Sequence, residues 1–138
     1  LGLRSCSPAV INSTGAPAIL YATGSATVSD QDLQLATIQL PNQQFGYYLC
    51  SQTTANVPGP GGSMGVLCLG GQIGRFTGQV ASTGAAGHIA ILVDILQLPV
   101  GSGTSVQPGD SWTFQLWYRD ATPTPTSNFS DALTIGFQ

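Results

Sequence analysis

The groups able to move a proton, attack a carbonyl or hold a metal are few in this chain of 138 residues. They comprise one histidine, His88, and six aspartates, Asp30, Asp32, Asp94, Asp110, Asp120 and Asp131. Three cysteines and three arginines (Arg4, Arg75 and Arg119) complete the set, with neither lysine nor glutamate. A Ser-His-Asp arrangement would have to run through His88, with a hydroxyl and a carboxylate in hydrogen-bond reach. His88 follows Gly87 at the mouth of a strand, and we expect a solvent-facing or edge histidine served by no nucleophile elbow. Lysine and glutamate chemistry is excluded by composition. Hydrolysis by paired carboxylates needs two aspartates facing each other across a cleft. Most of these aspartates fall in turns, where such side chains bond local backbone instead. No catalytic residue is assigned, and a hydrolase is the most distant reading.

Binding chemistry is better represented. Alternation along residues 112–119 sets Trp117, Gln115 and Arg119 on one face of a strand. An aromatic ring beside planar hydrogen-bonding side chains is how proteins stack the apolar face of a sugar. Tyr47 and Tyr48 are candidates for the same platform. The commoner role for such aromatics is to fill a core. With so few charges, each arginine is expected to be paired: Arg119 with Asp131, or stacked on Trp117. Among metals, a structural calcium suits aspartates in turns, and Asp30 and Asp32 in a Ser-Asp-Gln-Asp turn are the candidates. No loop has EF-hand spacing, and the cysteines are too far apart for zinc. No other cofactor is expected. Asn12 and Asn128 lie in N-x-[ST] triplets, read as chance matches, and the Thr/Pro run from Thr122 to Thr126 resembles a short O-glycosylated segment.

The elements that must position these residues read as strands. Apolar residues alternate in short runs bounded by Gly, Pro, Asn and Ser, which predicts an all-β, two-sheet antiparallel β-sandwich of jelly-roll or Greek-key type with about seven to nine strands. Residues 18–28 and 32–40 read as strands, the latter with a one-residue phase slip between Leu35 and Ile38 that suggests a bulge. Residues 45–52 place Phe45, Tyr47 and Leu49 opposite Tyr48 and Cys50. The Pro/Gly-rich stretch 54–63 reads as loop. Short strands follow at 64–69 and 73–76. Residues 88–98 are apolar on both faces, which predicts a central strand. The predicted inner faces are Ile19/Tyr21, Ile89/Ile91/Val93, Trp112/Phe114/Leu116 and Leu133/Ile135/Phe137. Residues 1–138 are taken as one sandwich domain.

Charged residues make up only 7% of the chain, against roughly 25% in ordinary domains, with a net charge of -3. That surface offers little mutual repulsion and suits a protein that associates with its own kind or with neutral surfaces. It is a poor match for nucleic acid, which demands clustered cations. No apolar run approaches the roughly 18 residues of a membrane span. A leader sequence is not visible in Leu1–Ser7, so we expect it to have been removed, or the chain to be excised from a longer precursor. Of the cysteines, Cys50 falls mid-strand where a small buried hydrophobe fits, Cys6 lies in a terminal segment that needs tethering, and Cys68 precedes a Gly-Gly turn. We therefore expect a Cys6–Cys68 disulfide with Cys50 free, the alternative being three thiols in a reducing compartment.

Several phrases, SCSPAVINSTG (5–15), GYYLCSQT (46–53), PGPGGSMG (58–65), LCLGGQIGRF (67–76), GDSWTFQLWYRD (109–120) and SNFSDALTIGFQ (127–138), together cover nearly the whole chain. In this order they resemble a recurrent C-terminal β-rich domain of large secreted proteins from planctomycete-like and other environmental bacteria. That resemblance implies a secreted, non-enzymatic module, cysteines matching Cys6 and Cys68, and an aliphatic residue where this chain has Cys50. It assigns no ligand. The expected function is a structural or adhesive module, extracellular or at the cell surface, that self-assembles, as in a filament, or holds another extracellular protein. Leu1–Ala9 would serve as an intermolecular strand, since lysine gatekeepers against strand addition are missing. The alternative is a carbohydrate-binding module that takes a polysaccharide.

Overall fold

The computed structural model describes residues 1–121 and 124–138. Among them eleven strands occur: β1 (Leu3–Ser5), β2 (Ile19–Thr23), β3 (Gln34–Ile38), β4 (Phe45–Ser51), β5 (Thr53–Pro58), β6 (Val66–Gly70), β7 (Gly74–Arg75), β8 (Ala81–Ser82), β9 (Ile89–Leu92), β10 (Ser111–Asp120) and β11 (Thr126–Gly136). All pairings between them are antiparallel. The main sheet runs β1-β11-β10-β4-β7, with β8 also on β4. A front sheet, β2-β3-β9, packs on its inner face, and the β5–β6 hairpin lies over its outer face. The protein is thus the expected antiparallel β-sandwich, with an added flap.

The core lies between the main and front sheets. Alternation along β10 sends Trp112, Phe114, Leu116 and Tyr118 inward, and all four are buried. They meet Leu133 and Ile135 of β11, Phe137 just beyond its end, and Leu20, Leu35, Ile89 and Ile91 from the front sheet. The predicted inner faces of the strands around Ile89, Trp112 and Leu133 are therefore correct. The one predicted for residues 18–28 is not. Leu20 and Ala22 point inward, while Ile19 is half-buried and Tyr21 is exposed. Both faces of that run are apolar, so hydrophobicity alone does not choose between them. The choice follows from register: Leu20 and Ala22 stand opposite the inward-facing Thr37 and Leu35.

Four further expectations change. β9 is an edge strand, not a central one, and its second apolar face, His88, Ala90 and Leu92, is exposed. Residues 54–58, read as loop, belong to β5 and pair with β6; Pro58 ends the strand and a register shift lies between Thr54 and Val57. The phase slip around Leu35–Ile38 is not a bulge. Thr37 takes the inward place, and the slip occurs just past the strand at Gln39, whose φ of 63° is left-handed. The bulge lies instead in β11, where Ser130 and Asp131 together oppose Leu116. The Leu116 N–H donates to Ser130 Oγ at 2.9 Å, filling the gap in the ladder. Finally, Leu3–Ser5, expected to seek another chain, adds to this chain's own β11.

The bulge re-aims Asp131 toward the edge of the front sheet. Asp131 Oδ1 accepts the Leu20 N–H (2.9 Å), and its Oδ2 meets Arg4 Nη1 (2.5 Å). Arg4 Nη1 also donates to the Leu20 carbonyl (2.8 Å), and its guanidinium lies 5.6 Å from the centre of the Tyr21 ring. Both backbone groups of Leu20, on the outer edge of β2, are thereby engaged by side chains.

The flap is held three ways. Cys6 and Cys68 form a disulfide across a separation of 62 residues, the expected pairing, and Cys50 is free and buried. Gln115 Oε1 accepts the Cys68 N–H (3.0 Å), while its Nε2 donates to the Val66 and Ser130 carbonyls (2.9 and 2.8 Å). Leu69 packs with Leu49 and Phe129 in a second, smaller apolar cluster between flap and main sheet.

Candidate functional site

The most site-like arrangement forms where the flap stops short of covering the main sheet. Tyr47 of β4, Trp117 of β10 and Phe129 of β11 stand side by side across three paired strands. The Tyr47 and Trp117 rings are 5.1 Å apart between centroids and tilted by 42°. Both are half-buried, and together with Leu67 and Ile73 they pack against the Leu49/Leu69/Phe129 cluster. The tight turn Pro60–Gly62 at the tip of the flap rises beside the indole, leaving a cleft on either side. One, of about 190 Å³, is lined by Tyr47, Leu49, Pro60, Ile73, Arg75 and Phe129, among others. The other, of about 320 Å³, is lined by Gly61, Gly62, Arg119, Pro125, Thr126 and Ser127. Trp117 borders both. The arrangement offers a half-buried indole bordered by a mostly apolar cleft that holds Arg75 and a more polar cleft that holds Arg119, suited to stacking a ring and hydrogen-bonding its rim.

Of the five residues expected to form a sugar platform, the structure brings together Trp117, Tyr47 and Arg119. Gln115 shares their strand face but lies under the flap, fully buried and saturated with backbone bonds. Tyr48 points the other way, into the core. Its hydroxyl meets Thr37 Oγ1 (2.8 Å) and donates to the Ile89 carbonyl (3.2 Å), and burial raises its pKa against the opposing effect of that Thr37 bond. Arg75 is the site residue that sequence reasoning missed. It sits directly opposite Leu49 in β7, a two-residue strand too short to carry a period. The expected partner of Arg119 is also corrected: Asp131 is turned toward Arg4 by the bulge, and Arg119 remains exposed.

The remaining candidates serve structure. Asp32 Oδ1 accepts the Ser25 N–H, Asp94 Oδ1 the Leu96 N–H, and Asp110 Oδ2 the Gln107 N–H. Asp120 is buried, with Oδ2 accepting the Ser13 N–H. Asp30 and Asp32 are exposed, and among the described residues no three His, Cys, Asp or Glu side chains gather as a metal would require. His88 is exposed, as expected, with its backbone N–H on the Thr83 carbonyl. Contrary to the expectation of no nucleophile elbow, one G-x-S-x-G spacing does occur, from Gly61 to Gly65. Its context is wrong for one: Ser63 is buried in a turn between two strands, and its hydroxyl donates to the Ser127 carbonyl (2.9 Å). The amides of Asn12 and Asn128 are buried and hydrogen-bonded to backbone, so neither triplet is open to glycosylation in the folded chain. The Thr/Pro run begins at Thr122 and Pro123, which lie outside the described residues.

Comparison with family models, with curated proteins and with solved structures finds no match. No helix among the described residues is long and apolar enough to cross a membrane.

Proposed function

We propose that this chain is a non-catalytic extracellular module of structural or adhesive type, one that associates with copies of itself or attaches to the cell surface. The observation that carries this reading is the exterior. Five of the six aspartates are tied to backbone N–H groups, while Leu3, Ile11, Phe45 and Leu92 remain 57% or more exposed. Such a surface lowers the cost of bringing two molecules together and adds apolar area to bury when they meet. The Cys6–Cys68 disulfide supports an oxidising compartment. Light scattering over a rising concentration series tests the reading. Growth in apparent mass is expected; a strict monomer at the highest concentration would count against it.

A second reading, a carbohydrate-binding module, is favoured by one specific observation, the Tyr47–Trp117 ledge between two clefts. Hits on a glycan array that vanish in Trp117→Ala are expected. An array without hits, or a variant that binds as the parent does, rejects it.

A further inference from the structure

Two of the three cations in this chain flank its one half-buried tryptophan. Arg4 is consumed by Asp131 and the Leu20 carbonyl. Arg75 and Arg119 are exposed, and among the described residues neither takes part in an ion pair or a side-chain hydrogen bond. Each lines one of the two clefts that share Trp117, and no aspartate lines either cleft. On a molecule with a formal net charge of -3, this is a local patch of two positive charges on either side of an aromatic face.

We propose that the ledge takes an acidic saccharide, one bearing carboxylate or sulfate groups, in preference to a neutral one; this rests on the carbohydrate reading above. The guanidinium fork matches a planar carboxylate or a sulfate through paired hydrogen bonds, whereas a neutral sugar needs no such group. The indole supplies the surface for the C–H face of the ring. The apolar cleft, at about 190 Å³, is smaller than the roughly 300 Å³ at which drug-sized pockets begin. It therefore receives a single ring, and a chain of sugars crossing Trp117 sets acid groups toward Arg75 on one side and Arg119 on the other.

Calorimetric titration with oligogalacturonate and with its neutral methyl ester tests this, because the two ligands differ in charge while keeping the same sugar backbone. The acid is expected to bind about tenfold tighter at low salt, with the advantage shrinking as salt is added. The double variant Arg75→Gln/Arg119→Gln should equalise the two ligands without lowering the melting temperature, and Trp117→Ala should remove both. Equal, Trp117-dependent affinity for acid and ester overturns the acidic preference and leaves the carbohydrate reading standing. So do array hits confined to neutral glycans. Binding of the acid that survives in the double variant also overturns it. Binding of neither ligand, with an array of acidic and neutral glycans empty, ends both readings.

Discussion

Asp131 shows how one side chain can hold two layers. Its carboxylate is buried and accepts the Leu20 N–H while meeting Arg4. Asp131→Ala leaves a β2 backbone donor without its partner, which costs about 1–3 kcal/mol. Arg4→Ala should cost less than Asp131→Ala, since the arginine is partly exposed and solvent screens its share of the pair. Urea melts of both variants check the order; a loss in Arg4→Ala equal to or larger than that in Asp131→Ala would contradict it. Cys50 gives a second prediction at this scale. Burial pushes its thiol up to about 12, with a hydrogen bond from Gly74 opposing. At pH 8 it is therefore fully protonated, and the thiolate is the reactive form. Iodoacetamide should leave the native protein unmodified and label one site once denaturant is added, as read by mass.

The flap is the element whose attachment can be dissected. Closing 62 residues with a disulfide stabilises by about 4 kcal/mol in the chain-entropy view. Gln115 makes two hydrogen bonds to the flap and a third to Ser130 of β11, so Gln115→Ala should cost about 3 kcal/mol in all, about 2 kcal/mol of it from the flap, at the usual net value near 1 kcal/mol each. Thermal melts of Cys6→Ser/Cys68→Ser, of Gln115→Ala and of the triple variant separate the two. Losses that add would show independent attachments; a smaller combined loss would show that either one alone seats the flap. This element was the least legible in the sequence. Pro58 and three nearby glycines read as loop, because a proline cannot donate to a ladder, yet at the last position of β5 it does not need to. Gln115 read as a solvent-facing residue for a related reason: a polar side chain on an alternating strand points away from the core, and nothing local tells whether another layer waits there.

For the whole molecule, the long periodic runs were legible. β10, the end of β11 and the inward side of β9 follow from period two alone, since one face of each is wholly apolar. β2 was not, because Ile19 and Tyr21 compete evenly with Leu20 and Ala22 until register decides. The site was half legible: Trp117, Tyr47 and Arg119 followed from alternation, while Arg75 depended on a pairing between distant segments. One property belongs to the core as a whole. Cys50, Tyr48 and Tyr118 all have their pKa raised, chiefly by burial, so each keeps its proton in the folded chain at a pH where the unfolded chain has released it. The folded state then holds more protons, and stability falls as pH rises. The fall begins near the ordinary thiol value of 9.0 and continues to about 12 for Cys50, with the tyrosines joining from 10.0 upward. Melting temperatures at pH 8, 10 and 11 should decline in that order. Cys50→Ala should blunt the first part of the decline, and a flat profile would contradict the linkage.

The engagement of Leu20 by Arg4 and Asp131 also bears on stoichiometry. With that border of the front sheet engaged at Leu20, its β9 border remains to receive a strand from a neighbour, although Gln79 Nε2 already donates to the Leu92 carbonyl there. Two molecules pairing edge to edge at β9 about a two-fold axis use that border in both, so contact through the front sheet ends at a dimer. Any longer array has to run through a different surface, such as the β1 or β7 border of the main sheet.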